Sequence, residues 1–491
     1  MGPPSPSNDA ARGAARDASA YLAGMVITRI LGFVMVPIYA HHLGARELGV
    51  LELLDTADLA AVTLFSAALA DPVIRNIRAA PDEAARRAVT ATTVLALCLL
   101  GAVVGALGIA ASPLLARVWI RDPARTAALA MTFASVAFQG VLEVPLAILR
   151  SEGRAGAFVG WTLSRAVLGF ALNVLFVVAM DLGVAGICLS SLLSSALFAS
   201  VLGTMTLRAS GIQWDTPTLR RMLAFGWPLI PGALALLALQ HTRAVQLNAW
   251  CSLEEVGVWS LGARFGSLVS STLGNPIRNA WTARMYAVWE SPQGPARYVR
   301  AGTVFVALYA SAALGLSLLA PDVLAVIAPS SFAPAAWVIR SVAAGYALKE
   351  VAEYFRNGLL VGGNARALAW FEPAVAVLDA VAGWFVVARW GFAGALALGP
   401  AVFAVYALGL HAAARRALPV RYEYGAMIGI TAAAVLLGLL GTSVRTGSRW
   451  IDAAAHLAIG LSLPLALLGL AARTEDGRAA LRALRQRAAG W

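Results

Sequence analysis

The chain has 491 residues, of which 59% are hydrophobic and only 13% charged, with a formal net charge of +12. Soluble domains carry about a quarter charged residues, so half that density does not solvate a globule of this size, and the mean hydropathy of +0.74 agrees. The positive balance does not indicate nucleic acid, because the Arg residues lie in joints between apolar runs, where membrane insertion places basic residues on the cytoplasmic side.

The apolar runs have the length that crosses a bilayer core of roughly 30 Å as helix, and fourteen spans are predicted. Residues 1–18, rich in Pro, Ala and Arg, read as a cytoplasmic tail. Span 1 (19–40) carries Arg29 near its middle and Pro37 near its end. Span 2 (48–72) carries Glu52, Asp55 and Asp58 at steps of three, which a helix gathers on one face about 120° wide. Spans 3 to 6 cover 88–115, 126–149, 155–180 and 183–207, with Glu143 and Arg165 on the fourth and fifth expected to pair. Span 7 (222–249) contains Pro228 and Pro231, the predicted hinge, and then His241 and Arg243. Span 8 (255–280) has Arg264 near its middle.

Span 9 covers 298–320. Span 10 (333–361) bears Arg340, Lys349, Glu350, Glu353 and Arg356, and its spacing predicts an i,i+4 pair between Lys349 and Glu353. Span 11 (366–388) bears Glu372 and Asp379; spans 12 to 14 cover 391–414, 424–441 and 450–472. The basic tail, 474–491, suits either an anionic lipid surface or a solvated helix. Cys98, Cys188 and Cys251 are too scattered for a disulfide framework or a metal site and are expected to be small buried hydrophobes.

Charge supplies a second test. With the N-terminus in the cytoplasm, alternate joints collect Arg75, Arg78, Arg86, Arg87, Arg150, Arg154, Arg208, Arg220, Arg221, Arg278, Arg284, Arg297, Arg300, Arg415, Arg416 and Arg421. The opposite joints hold few basic residues, among them Arg46, Arg117, Arg121 and Arg125. That asymmetry predicts a multi-pass protein of a bacterial cytoplasmic membrane with both termini inside.

The sequence also repeats. Glu47-Leu48-Gly49-Val50 opens span 2 and Glu255-Val256-Gly257-Val258 opens span 8; Pro72-Val73-Ile74-Arg75-Asn76 closes the first and Pro276-Ile277-Arg278-Asn279 the second. Copies six spans apart face the same way across the membrane. The expected fold is an all-α polytopic membrane protein of about 14 transmembrane helices. It comprises two pseudo-symmetric six-helix bundles (19–210 and 211–416), two appended helices (417–473), and substrate bound between the bundles.

The stretches Thr28-Arg29-Ile30-Leu31-Gly32-Phe33, Pro37-Ile38-Tyr39-Ala40 and Leu43-Gly44-Ala45-Arg46-Glu47-Leu48-Gly49-Val50 resemble the opening of Wzx-type polysaccharide flippases. These belong to the multidrug/oligosaccharidyl-lipid/polysaccharide (MOP) exporter superfamily. Trp259-Ser260-Leu261-Gly262 is similar to that family's eighth helix. The resemblance implies a MATE-like fold. It also implies translocation of a polyprenyl-pyrophosphate-linked oligosaccharide by alternating access, with a glycan polymerase or glycosyltransferase as protein partner. Its alternatives are a drug/cation antiporter of the same superfamily and a flippase of the peptidoglycan precursor lipid II. A membrane glycan polymerase or ligase is a more distant alternative, since it needs a sizeable outer loop with paired catalytic groups. No Walker A motif, metal-ligand cluster or nucleophile elbow appears, which argues against an ATPase or a hydrolase.

An ionisable group in a span costs about 2.5–3.5 kcal/mol at mid-helix, so each is a functional candidate. The resemblance places spans 1, 2, 7 and 8 along the cavity. Arg29 and Arg264, with Arg243 after them, are therefore the expected phosphate contacts, since guanidinium matches phosphate bidentately. The competing expectation is a structural ion pair with a nearby carboxylate. Asp58, Asp55, Lys349, Glu353 and Asp379 are candidates for ion pairing or for H+ or Na+ coupling. No other cofactor and no metal are expected.

Overall fold

The computed structural model describes residues 8–364, 366–444, 446 and 448–471, which are helical with no strand among them. The basic tail at 474–491 and the first seven residues lie outside the described residues.

Among the described residues, nine helices are long and apolar enough to cross a membrane. Two of them contain a sharp break. Helix Asn8–Phe65 turns at Gly44 (φ 72°) and helix Arg366–Ala417 at Gly391 (φ 54°). Both φ values lie in the left-handed region that glycine adopts without steric cost, so each helix is two spans joined by a one-residue corner. Three further stretches complete the fourteen. Span 7 is Thr216–Gly226, a 3-10 turn at Trp227–Leu229, and Ile230–Trp250. Span 8 is Leu253–Gly266, a π turn at Val269–Gly274, and Asn275–Thr282. Span 10 is Ala335–Val361. Spans 7 and 10 carry the polar groups described below, and span 8 is broken into short segments.

The duplication is visible in the backbone. Span 4 ends with Arg154 N–H donating to Leu149 O (3.0 Å) and Gly153 N–H to Arg150 O (3.2 Å). Span 10 ends with Asn364 N–H donating to Leu359 O (2.9 Å) and Gly363 N–H to Leu360 O (3.1 Å). This is the same Schellman cap, 210 residues apart, with Gly153 and Gly363 both left-handed. Spans 2 and 8 match as well. A π segment, Ser66–Ala70 or Val269–Gly274, directly precedes the turn holding Pro72 or Pro276. Proline lacks the N–H and crowds the preceding turn, and a widened turn relieves both.

By packing, the chain divides into two compact units, one ending at Gly257 and the other beginning at Val258. Span 7 packs on spans 1 to 3 of the first unit. Small residues let helices approach within each unit, as expected where packing rather than hydrophobicity drives association. In the first unit, Gly101 and Gly105 of span 3 lie against Ala137 of span 4. In the second, Gly262 and Gly266 of span 8 lie against Val338 and Val342 of span 10. Large apolar side chains such as Leu107, Ile428 and Leu439 face outward, as lipid-facing positions do. Trp227, Trp337, Trp390 and Trp450 near span ends are exposed too, in keeping with an interfacial aromatic belt.

The cysteines correct one expectation. Only Cys188 is buried; Cys98 lies on an exposed face and Cys251 is half-buried at the end of span 7. In lipid, an exposed thiol carries little penalty.

Candidate functional site

Span 2 brings its carboxylates into three different settings. Glu52 is half-buried, with His241 Nδ1 of span 7 at 3.8 Å. Asp55 is exposed. Asp58 is half-buried, and its Oδ1 accepts from Gln139 Nε2 of span 4 at 2.7 Å. From Gln139 a chain of polar groups crosses the bundle. Gln139 also donates to Ser135 Oγ (3.2 Å), which lies 3.0 Å from Ser191 Oγ and 3.3 Å from Ser195 Oγ of span 6. Arg165 Nη2 of span 5 donates to Ser195 (3.3 Å). The Arg165 guanidinium interacts electrostatically with both Asp58 and Glu143, so the expected Glu143–Arg165 attraction has a third member. Gln139 and the Ser190-Ser191 and Ser194-Ser195 doublets are visible in the sequence, but being uncharged they escape a search for intramembrane charge.

The joint ends of the first unit are tied by ion pairs. Arg125 donates to both Glu47 oxygens and to Asp122 Oδ2 (3.2 Å). Arg46 lies 3.4 Å from Glu254 and 3.9 Å from Asp122. Arg121 Nη2 donates to Ala249 O at 2.6 Å, and Asn248 Nδ2 to Trp119 O at 2.6 Å. Glu254 is held below the usual carboxylate range, first by its own backbone N–H at the helix start and then by Arg46. Three joints (44–47, 119–125 and 248–254) are thereby fastened together.

The two repeat motifs meet here. A β-carbon on Gly49 would overlap the carbonyl oxygen of Leu253. One on Gly257 would overlap the carbonyl oxygen of Ala45 and lie 2.9 Å from Gly49 N. The two glycines thus face each other's backbones where spans 2 and 8 begin.

The second unit holds a denser charge cluster. Glu350 of span 10 is buried and accepts from Ser270 Oγ (2.5 Å), Arg278 Nη1 (3.1 and 3.3 Å) and Lys349 Nζ (3.3 Å). Gly274, in the π segment of span 8, leaves the room that this carboxylate fills, since a β-carbon there would run into it. Lys349 donates to Glu350, and its charge also acts on Glu353. Helical spacing favours i,i+4, but Ser270 and Arg278 converge on Glu350 from another helix, and this tertiary clustering sets the hydrogen-bond partner. Glu353 lies 4.0 Å from Arg356 Nε, which also donates to Glu372 Oε1 of span 11 at 2.6 Å. Neither Glu350 nor Arg278 stood among the expected site residues.

The expected head-group contacts differ in burial. Arg29 is exposed, Arg264 is half-buried, and Arg243 is buried with Nη1 donating to Gln246 Oε1 at 2.5 Å. Each of the three has a further partner, as has Asp379, which is buried in span 11. Span 7 breaks at Pro228, where the 3-10 turn interrupts the helix, and restarts with Pro231 in its first turn. Gly226, just before that break, packs on the carbonyls of Ala67 and Ala68 in the span 2 π segment.

Fourteen spans and a backbone-level duplication define a multi-pass, all-helical membrane protein. The chain belongs to the family described as polysaccharide biosynthesis protein, whose model matches residues 14–282. Among solved structures it is similar to the lipid II flippase MurJ in an inward closed conformation. That match has 10% identity and a TM-score of 0.75, covering 92% of this chain and 98% of that one. It is also similar to an inward-facing multidrug resistance MATE transporter of the MOP superfamily (17% identity, TM-score 0.63, covering 81% and 97%). A third likeness is to a MOP superfamily transporter from Pyrococcus furiosus described as having a binding pocket of reverse polarity (16%, 0.53, covering 82% and 95%). No curated protein matches the chain significantly. The chain has the fold of MOP exporters.

Proposed function

We propose that the protein translocates a lipid-linked oligosaccharide, carried on a polyprenyl pyrophosphate, across the bacterial cytoplasmic membrane with both termini inside. The match to the polysaccharide biosynthesis family over more than half of a transporter fold carries this reading. The Arg asymmetry of the joints supports the orientation. A glycan polymerase or glycosyltransferase would then act on the same lipid-linked intermediate.

The exposed charges support a route for a polar head. Arg29 and Asp55 sit at span depth yet are exposed on the protein. Facing hydrocarbon, each would cost several kcal/mol, so they border water-accessible space. Arg29 and Arg264 are assigned to the pyrophosphate, with Arg243 behind them. Pro228 and Pro231 supply the hinge, since span 7 already lacks a continuous helical ladder there.

Coupling to H+ or Na+ is assigned to Asp58, with Asp55, Glu353 and Asp379 as further candidates. In the first unit the Arg165 guanidinium acts on both Asp58 and Glu143. Two half-buried carboxylates around one guanidinium carry an excess negative charge, which a proton or a sodium ion would balance.

Arg29→Ala and Arg264→Ala are each expected to reduce translocation of a polyprenyl-pyrophosphate oligosaccharide at least tenfold in proteoliposomes, with expression and folding retained. Wild-type rates in both variants would remove the phosphate role.

A further inference from the structure

A cleft of about 460 Å³ opens in the second unit between the end of span 8 and the end of span 10, lined by Arg278, Asn279, Thr282, Glu353, Arg356 and Asn357. Its volume lies in the range of small-molecule sites, roughly 300–1,000 Å³. Asn357 is 3% exposed, yet its side-chain amide makes no hydrogen bond among the described residues. Nor is it sealed away, for it is not one of the enclosed orphan polar atoms. A buried amide left without a partner is costly, so its exit toward the cleft implies a ligand or water there. Arg356 commits Nε to Glu372, while its two terminal nitrogens make no hydrogen bond among the described residues. Asn279 and Thr282 are exposed on the adjoining turn.

Charge decides what fits. Arg278 and Lys349 are engaged by Glu350, and Arg356 by Glu372 and Glu353. Three cations thus face three carboxylates, and Glu353 lies in the cleft wall itself. An anion would find no uncompensated positive charge and would meet a carboxylate; a cation would meet two guanidinium groups. What remains is a mixed set of fixed donors (Arg356, Asn357, Asn279, Thr282) and acceptors (Glu353 and the amide oxygens). A ligand with many hydroxyls satisfies both kinds at once.

We propose that this cleft is a carbohydrate subsite that takes a neutral sugar ring, with the buried Asn357 and the half-buried Glu353 as its recognition pair and Arg356 as a donor. It rests on the glycan-lipid reading for its biological ligand, and it separates sugar recognition from the phosphate contacts assigned to Arg29 and Arg264. Binding of a free sugar is measurable without transport.

The test uses the full chain in lipid nanodiscs, saturation-transfer-difference NMR with a panel of free neutral hexoses and N-acetylhexosamines, and inorganic pyrophosphate as competitor. At least one neutral sugar is expected to give a saturation-transfer signal that falls at least fivefold in Asn357→Ala. The same fall is expected in Thr282→Leu, an exposed substitution that fills the mouth without disturbing the buried wall. Pyrophosphate should not displace the sugar. The absence of a signal from every sugar overturns the proposal. So does a signal unchanged in both variants, or displacement by pyrophosphate. Translocation of a lipid-linked oligosaccharide by the wild type, measured alongside, separates the two readings. Transport without sugar binding sinks the cleft alone, whereas sugar binding lost in the variants without any transport leaves the cleft standing and sinks the glycan-lipid reading.

Discussion

Gly257→Ala is expected to destabilise the protein by about 3 kcal/mol or more and to abolish most transport, although the change adds one methyl group. The β-carbon would overlap the carbonyl oxygen of Ala45 and lie 2.7 Å from its carbonyl carbon and 2.9 Å from Gly49 N. All of these are backbone atoms, so no side-chain rotation relieves the clash and the starts of spans 2 and 8 must part. Overpacking of a tight interior costs about 1–3 kcal/mol and occasionally more, and here the displaced joint also carries Arg46, Glu47 and Glu254. Gly160→Ala is the control, because a β-carbon there meets nothing within 4 Å. A helix-interior glycine replaced by alanine without a clash gains up to about 1 kcal/mol in propensity. Thermal unfolding in nanodiscs should therefore move in opposite directions for the two variants. An unchanged midpoint for Gly257→Ala would refute the contact.

Glu350→Ala carries the second large effect. Three groups converge on this carboxylate, and two of them, Arg278 and Lys349, are cations with side-chain exposures of 28% and 17%. Removing one member of a buried pair costs about 3–5 kcal/mol, because the partner keeps its charge without compensation. The partial exposure of Arg278 and Lys349 places the expected loss near the lower end of that range. It also leaves an empty space beside Gly274, where the carboxylate now sits. Glu350→Gln keeps the shape and the acceptor for Ser270, so it should lose clearly less stability than alanine. Equal unfolding midpoints for wild type and Glu350→Ala would show that the cluster contributes nothing net.

Much of the fold was legible because its causes are local. Apolar runs of bilayer length and Arg in alternate joints each act within a few residues. The duplication was legible from Glu47-Leu48-Gly49-Val50 and Glu255-Val256-Gly257-Val258. That their glycines face one another was not, because helical periodicity orients a residue on its own helix and says nothing about which backbone lies opposite.

The site was less legible for the same reason. Asp58 was visible as an intramembrane acid, but its hydrogen-bond partner is the neutral Gln139, 81 residues away on span 4. Lys349 and Glu353 have ideal helical spacing, yet Lys349 turns to Glu350 because Arg278 and Ser270 come from span 8. Asn357 escaped attention altogether: an uncharged amide near the end of a span matters only once a cleft is seen beside it. Counting charges finds groups that need partners, but the choice among partners is tertiary.

The most direct measurement is translocation of a labelled polyprenyl-pyrophosphate oligosaccharide in sealed proteoliposomes, scored by access of an added glycosidase to the outer leaflet. The protein should render lipid-linked glycan loaded on the inner leaflet cleavable within minutes, while protein-free vesicles keep it protected. Continued protection in the presence of folded protein, together with export of an organic cation by the same vesicles, would contradict a glycan-lipid flippase and place the chain among the drug antiporters of its fold.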